Sequence, residues 1–328
     1  MPQAPNYPYA PHVMQYTAAY HRIHISTELS GFYQSLSYFI SYHILSQLTI
    51  SYRTSLKMRE EQILKRSALS PRERKGIHMK FYGMQKLSLL DFPGKMCATV
   101  FTGGCNYRCP FCHNSSLVEA ERLCGGQTID GEEVIRFLRR REGILEGIAI
   151  TGGEPTLWGE QLVSFIRKVK EQTDMLVKLD TNGTHPDVLR ECIAAGIDYV
   201  AMDIKSSEER YHIVAGHADT RLDKVKESIS ILLGGEVDYE FRTTAVKPLH
   251  TAEDFNGIGQ LISGAKRYFI QCYKDSGDIL IESDEAAAEY ERSAVGTAEL
   301  GAYSKDELES FLAIAKKYIP TAELRGVD

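Results

Sequence analysis

The first 78 residues contain no aspartate, no cysteine and only two of the chain's twenty-six glycines, yet hold eight of its eighteen tyrosines. A shift of that size marks a domain boundary. Over Tyr33 to Leu64 no clean amphipathic period continues, because serine, histidine and glutamine interrupt every candidate core face. The Arg-rich amphipathic pattern of a transit peptide is also missing. The expectation is a poorly defined, dispensable N-terminal extension over residues 1–78 and one domain over 79–328.

Other absences narrow the class. The longest weakly apolar run, Leu36 to Ile50, is broken by Ser41, His43, Ser46 and Gln47 and falls short of the ~20 residues a membrane helix requires, so no membrane association is expected. Basic residues do not exceed acidic ones, 38 against 44. The basic face typical of nucleic-acid domains therefore has no global support, and no nucleic-acid partner is expected. Of the seven cysteines, Cys97, Cys124, Cys192 and Cys272 are scattered singly without framework spacing. That usage points to a reducing cytoplasm rather than to a disulfide scaffold.

From Lys95 onward, short β-rich runs alternate with segments of helical period, the pattern of a parallel sheet built from β-α units. Strands are predicted over Met96–Thr102, Gly147–Ile150, Met175–Leu179, Tyr199–Ile204, Tyr239–Val246 and Arg267–Gln271. Helices are predicted over Gly131–Arg141 behind an Asp130 cap, Gly159–Gln172, Pro186–Ala195, Arg221–Leu233, Ala252–Ser263 and Lys305–Ile319. Six strands are too few for a closed eight-fold barrel, which leaves an α/β fold with one side open. In such folds the loops after the strands build the active site.

Those loops carry the unusual residues. The first strand runs into Cys105, Cys109 and Cys112, spaced C-x3-C-x2-C, too close for structural disulfides. No second C-x2-C pair exists to complete a zinc tetrahedron, although a structural zinc loop stays open as the plainer reading. Three thiolates suit an iron-sulfur cubane with one iron free of protein ligands. Later strands end in Gly152-Gly153-Glu154, in Asp180, in Asp203 and Lys205, and in Arg242. Plain alternatives exist: a turn for the glycines, a helix cap or a turn with Asn182-Gly183 for Asp180, an ion pair with Glu240 for Arg242. Asp203 and Lys205 alternate along a strand and so share a face, where charge requires partners.

The cysteine loop, with Phe111 before its third cysteine, resembles that of the radical S-adenosylmethionine (SAM) enzymes. Together with Asp91-Phe92-Pro93-Gly94 and Cys112-His113-Asn114, the chain is similar to the activating enzymes of glycyl-radical proteins. The similarity covers about Met79 to the C terminus and is strongest over Lys86–Leu117. It implies a partial (β/α)6 TIM-like barrel, one 4Fe-4S cluster on Cys105, Cys109 and Cys112, and SAM held by Phe111, Gly152, Gly153, Glu154, Asp180, Asp203, Lys205 and Arg242. In some relatives the two aspartates also hold a monovalent cation. The implied reaction is reductive cleavage of SAM to a 5′-deoxyadenosyl radical, which makes a glycyl radical on a partner. The implied partner is anaerobic ribonucleoside-triphosphate reductase, with a pyruvate formate-lyase type protein as the alternative. Flavodoxin or ferredoxin would donate the electron. Gln271 stands where some activating enzymes place a histidine, and without further cysteine clusters after Asn114 a single cluster is expected.

Overall fold

The computed structural model describes residues 78–119, 127–274 and 299–327. The expected extension therefore lies outside the described residues except for His78, as do the run Leu36–Ile50 and Cys124. Among the described residues no helix is long and apolar enough to cross a membrane.

The chain opens with β1 (Lys80–Phe81) and β2 (Gly83–Ser88), followed by β3 (Cys97–Thr102) and β4 (Ile129–Asp130). It continues with β5 (Gly147–Gly152), β6 (Leu176–Thr181), β7 (Tyr199–Asp203), β8 (Asp238–Ala245), β9 (Tyr268–Cys272) and β10 (Glu323–Arg325). All six expected strands are present and lie parallel to one another, in the sheet order β10-β9-β8-β7-β6-β5-β3-β2. Two members of this sheet escaped the sequence reading. β2 pairs antiparallel on the outside of β3, and as a largely exposed edge it shows no apolar alternation. β10 pairs parallel to β9 over only three residues.

Between the strands run α1 (Ser115–Val118), α2 (Gly131–Arg139), α3 (Glu160–Gln172) and α4 (Pro186–Ala194). They are followed by α5 (Tyr211–Ala215), α6 (Leu222–Leu233), α7 (Ala252–Leu261) and α8 (Lys305–Ala315). The capping expectation holds at α2, where Asp130 accepts from the Glu132 N–H at 2.8 Å. Pro186 opens α4 as a first-turn proline, where its missing N–H costs nothing.

Strand side chains alternate between two buried faces. Ala98, Val100, Ile148, Ile150, Val177, Leu179, Val200, Met202 and Phe241 join the helix residues Leu162, Ile166, Leu189, Ile229 and Phe255 in the main core. The opposite set, Cys97, Ala149, Tyr199 and Ala201, packs with Phe92 as a separate cluster inside the curve of the sheet. Phe92, on the turn after β2, meets the Tyr199 ring at 5.9 Å, and Asp91 beside it accepts from Thr99 at 2.6 Å. The Asp91-Phe92-Pro93-Gly94 turn thus plugs the end where β3 and β7 begin.

One ion pair anchors the last strand. Arg325 of β10 donates to both oxygens of Glu240 at 2.8 and 3.0 Å, and its guanidinium lies 3.7 Å over the Phe269 ring. Glu240 is 1% exposed and also accepts from the Tyr199 hydroxyl at 2.8 Å. Breaking a buried pair from one side strands the other charge. Arg325→Ala should therefore cost about 2 kcal/mol or more in denaturant unfolding, at the low end of that class because Arg325 is partly exposed. The Arg325→Ala/Glu240→Gln double variant should recover part of the loss. A loss under about 0.5 kcal/mol for the single variant would show that β10 is not held by this pair.

Candidate active site

The eleven residues singled out above line one cleft at the C-terminal ends of the strands, together with Tyr107, Asn114, Thr151, Thr181, Asn182 and Thr244 among others. The cleft holds about 880 Å³ of empty space, its open mouth included. Gln271 is absent from its lining.

One wall is the cysteine loop after β3. None of its cysteines is in a disulfide. Burial pushes the Cys105 thiol up to about 12 and the Cys109 thiol up to about 11, and negative charge on the neighbouring cysteines adds to both shifts. Thiols so placed ionise only beside a compensating positive group, which fits an iron-sulfur cluster. Among the described residues no three His, Cys, Asp or Glu side chains form a site for a single metal ion.

Backbone contacts fix this loop. Gly104 O accepts from Glu154 N at 2.7 Å, and Thr102 O accepts from Gly153 N at 2.9 Å. A Cβ on Gly153 would lie 2.0 Å from Gly104 O, and one on Gly152, at φ +119°, would lie 2.4 Å from Thr102 O. The resemblance assigns this glycine pair to SAM. The cysteine loop's own main chain also lies against it, while both glycines line the cleft. Asn114 Nδ2 also donates to Gly152 O at 3.1 Å, and the lone tryptophan, Trp158, donates to Gly103 O at 3.0 Å.

Glu154 is buried, and its carboxylate accepts from Thr156 N at 3.0 Å, Thr181 Oγ1 at 2.8 Å, Asn182 N at 2.6 Å and the Thr156 hydroxyl. Burial nevertheless raises its pKa, against the pull of those donors. The loop after β6 in turn grips the cysteine loop. Asn182 Nδ2 donates to Asn106 Oδ1 at 2.9 Å, and Asn106 Nδ2 donates to Thr184 Oγ1 at 3.1 Å.

The cleft floor is ionic. Lys178 donates to Asp180 Oδ1, Arg242 Nη1 reaches Asp180 Oδ2 at 3.5 Å, and Arg242 Nε donates to Asp203 Oδ1 at 2.9 Å. Lys205 donates to Asp203 Oδ2 at 3.2 Å. Burial opposes ionisation of both carboxyls, but Arg242 with the nearby lysines outweighs it, holding Asp203 at about 2 and Asp180 below its usual range. Two of the plain alternatives are not what the structure shows. Asp180 does not cap α4, whose N-cap is His185, and the partner of Glu240 is Arg325 rather than Arg242. Phe111 forms the apolar side, its ring 6.4 Å from that of His250, whose Nε2 lies 2.8 Å from Lys205 O.

The sequence reading missed the segment Tyr211–Arg221, which clamps the cysteine loop from outside. Ala215 O accepts from Arg108 N at 2.9 Å and lies 3.8 Å from Cys109 Sγ, and Thr220 O accepts from the Tyr107 hydroxyl at 2.6 Å. Gly216, at φ +60°, sits where a Cβ would fall 1.9 Å from Arg108 O. No motif flags it. A glycine closing a short helix reads as an ordinary C-terminal stop.

Comparison with known proteins follows the same residues. The family model described as the Radical SAM superfamily matches residues 99–257. A candidate glycyl-radical enzyme activating enzyme of Methanocaldococcus jannaschii is 33% identical over 254 residues, 75% of this chain and 95% of that protein. The pyruvate formate-lyase-activating enzyme of Clostridium pasteurianum is 27% identical over 164 residues, 46% of this chain and 65% of that protein. Among solved structures, a domain of pyruvate-formate lyase-activating enzyme from Bacteroides vulgatus matches 55% of this chain and 99% of its own, at 13% identity and a TM-score of 0.42.

The clamp yields a direct test. Gly216→Ala should displace the Arg108 carbonyl and loosen the loop between Cys105 and Cys109. After anaerobic reconstitution, bound iron and sulfide should fall below half the wild-type content with the circular dichroism spectrum unchanged. Full iron content in this variant would show that the clamp does not set the thiol positions.

Proposed function

The chain belongs to the radical SAM superfamily, as an enzyme homologous to glycyl-radical enzyme activating enzymes, and on that premise we propose that it generates a glycyl radical on anaerobic ribonucleoside-triphosphate reductase. The observation that carries this reading is the convergence of three cysteines, a glycine-rich turn and a charged floor, contributed by five strand ends, on one cleft. With relatives that are enzymes, the structural zinc loop drops out.

In this reading Cys105, Cys109 and Cys112 hold a 4Fe-4S cluster and leave one iron open to SAM. The chemistry supplied by the bound pair is one-electron cleavage of the sulfonium, the source of a 5′-deoxyadenosyl radical. The chain's own residues orient and enclose it. Glu154 accepts three hydrogen bonds on Oε1 and one on Oε2, so it fixes the turn while Oε2 keeps acceptor capacity. That oxygen and the main-chain oxygens of the Gly152–Gly153 segment are the acceptors for the amino group of SAM. Arg242 and Lys205 retain donors beyond those spent on Asp180 and Asp203, and these receive the carboxylate of SAM. Phe111 is the apolar wall. The cysteine usage supports a reducing cytoplasm as the setting, with a flavodoxin or ferredoxin as electron donor.

A partner-directed reading is favoured over a small-molecule substrate because the sheet is open, with β2 and β10 as its edges. A dry, shaped site protects a radical. A docking partner can seal such a mouth, and glycine offers Cα without a side chain in the way. The similarity to pyruvate formate-lyase-activating enzymes supports the second reading, a lyase-type partner.

Mixing the reduced protein, SAM and the reductase without oxygen should give a glycyl-radical doublet in electron paramagnetic resonance, and Cys109→Ala should give none. Cys192→Ala, at a small buried core position on α4, should keep the signal. A doublet only with a lyase-type partner makes the second reading correct. Consumption of a small molecule with no doublet on any partner defeats both.

The domain boundary is part of the proposal. A protein starting at Met79, which is 2% exposed and whose carbonyl accepts from Gly131 N at 2.8 Å, should fold, bind iron and cleave SAM like the full chain. Loss of folding or of iron on truncation would assign the first 78 residues to the domain.

A further inference from the structure

The resemblance to glycyl-radical activating enzymes implies a monovalent cation at the two aspartates of the floor. The residues present do not fit one. All four oxygens of Asp180 and Asp203 already face a cationic side chain: Lys178 and Arg242 at Asp180, Arg242 and Lys205 at Asp203. Three cations against two carboxylates leave one positive charge in excess. Of the other carboxylates nearby, Glu240 is ion-paired with Arg325 and also acts through space on Arg242, whereas Asp91 and Glu154 accept hydrogen bonds from neutral groups, Thr99 for the one and Thr156, Thr181 and Asn182 for the other. A metal cation could reach these carboxylate oxygens only by displacing one of the cationic side chains that already face them.

Lys178 is the unusual member. Arg242 and Lys205 line the cleft, whereas Lys178 lies beneath it with a side chain only 3% exposed. Its neighbours across the sheet are Ala149 on β5 and Tyr199 on β7, neither able to neutralise it. A buried ammonium needs a counter-charge, and Asp180, two residues along the same strand face, supplies it. The ammonium is a compact point charge with three donors, comparable in charge to the ion it would replace.

We infer that Lys178 serves as a built-in monovalent cation for Asp180, so that this enzyme binds and cleaves SAM without potassium or sodium. The inference rests on the radical SAM reading above. It also makes Lys178 a positioning residue: with Asp180 committed below, Arg242 stays turned toward the cleft with donors for a carboxylate.

Two measurements test it on the full-length, cluster-loaded protein at matched ionic strength. In the first, SAM cleavage by the wild type in potassium, sodium and tetramethylammonium chloride should agree within twofold. A fivefold or greater stimulation by potassium or sodium overturns the inference. Lys178→Met should be at least tenfold slower in tetramethylammonium and should regain most of that loss in potassium or sodium, while Lys178→Arg should stay cation-independent. A folded Lys178→Met that no small cation restores removes Lys178 from the role.

The second measurement needs no turnover. Thermal unfolding of the wild type with SAM should show the same midpoint in all three salts, because a cation that is not bound cannot stabilise by mass action. The Lys178→Met midpoint should rise in potassium or sodium over tetramethylammonium. A salt-specific rise in the wild type counts against the inference. If the wild type cleaves no SAM in any salt, the functional reading fails, while the melting comparison still decides whether an ion binds.

Discussion

Charge taken out of water must be matched, and the inside of this curved sheet is where that constraint acts. Lys178, Asp180, Asp203, Glu240 and Arg242 all project to the concave side, and Lys205 and Arg325 reach the same space. Pairing follows from backbone geometry. Residues two apart on a strand share a face, which joins Lys178 to Asp180 and Asp203 to Lys205. The β7–β8 register sets Asp203 opposite Arg242. A one-residue slip of either strand would turn these charges into the apolar helix layer, so the ionic floor and the strand register enforce each other. Buried ion pairs rarely stabilise more than well-packed apolar side chains would. Their presence here is therefore better explained by the cleft above them than by stability.

Above that floor, main chain rather than side chain does most of the positioning. The cysteine loop touches the Gly152–Gly153 turn through carbonyls and amides, and the Ala215–Gly216 corner closes on it from the other side. Backbone contacts of this kind leave little slack, because no rotamer can absorb a displacement. The asparagine exchange between Asn106 and Asn182 ties a third loop into the same unit. Three thiols held to fixed positions require such support, since a loop braced only by solvent-exposed side chains drifts by more than a metal–ligand geometry tolerates.

The fold was legible wherever burial imposed a period. All six parallel strands and the longer helices fall within a few residues of where apolar spacing puts them, because each contributes a face to a continuous core. β2 and β10 were not legible for two different reasons. β2 has one partner and an exposed outer face, so nothing selects apolar residues along it. β10 is too short to carry a pattern, and its attachment depends on the pairing of Arg325 with Glu240 across most of a hundred residues of chain. Contacts of that separation leave no trace in local composition.

In the site, spacing revealed which residues matter more readily than what they touch. The three cysteines stand out because few other roles accommodate three thiols so close together. The Gly152–Gly153 pair was legible as a place of close approach, but that the main chain of the cysteine loop also lies against it was not. Glu154 was legible as a carboxylate in the site, yet its four donors come from backbone and hydroxyl groups that make no motif. Lys178 illustrates the limit most clearly. A lysine between Val177 and Leu179 reads as the solvent side of a half-buried strand, the ordinary place for a charge. Only the curvature of the sheet turns that side inward, and curvature is a property of strands taken together, not of any one of them. Once the side is inward, the lysine must find a carboxylate, and the same alternation that hid it in the sequence places Asp180 within reach.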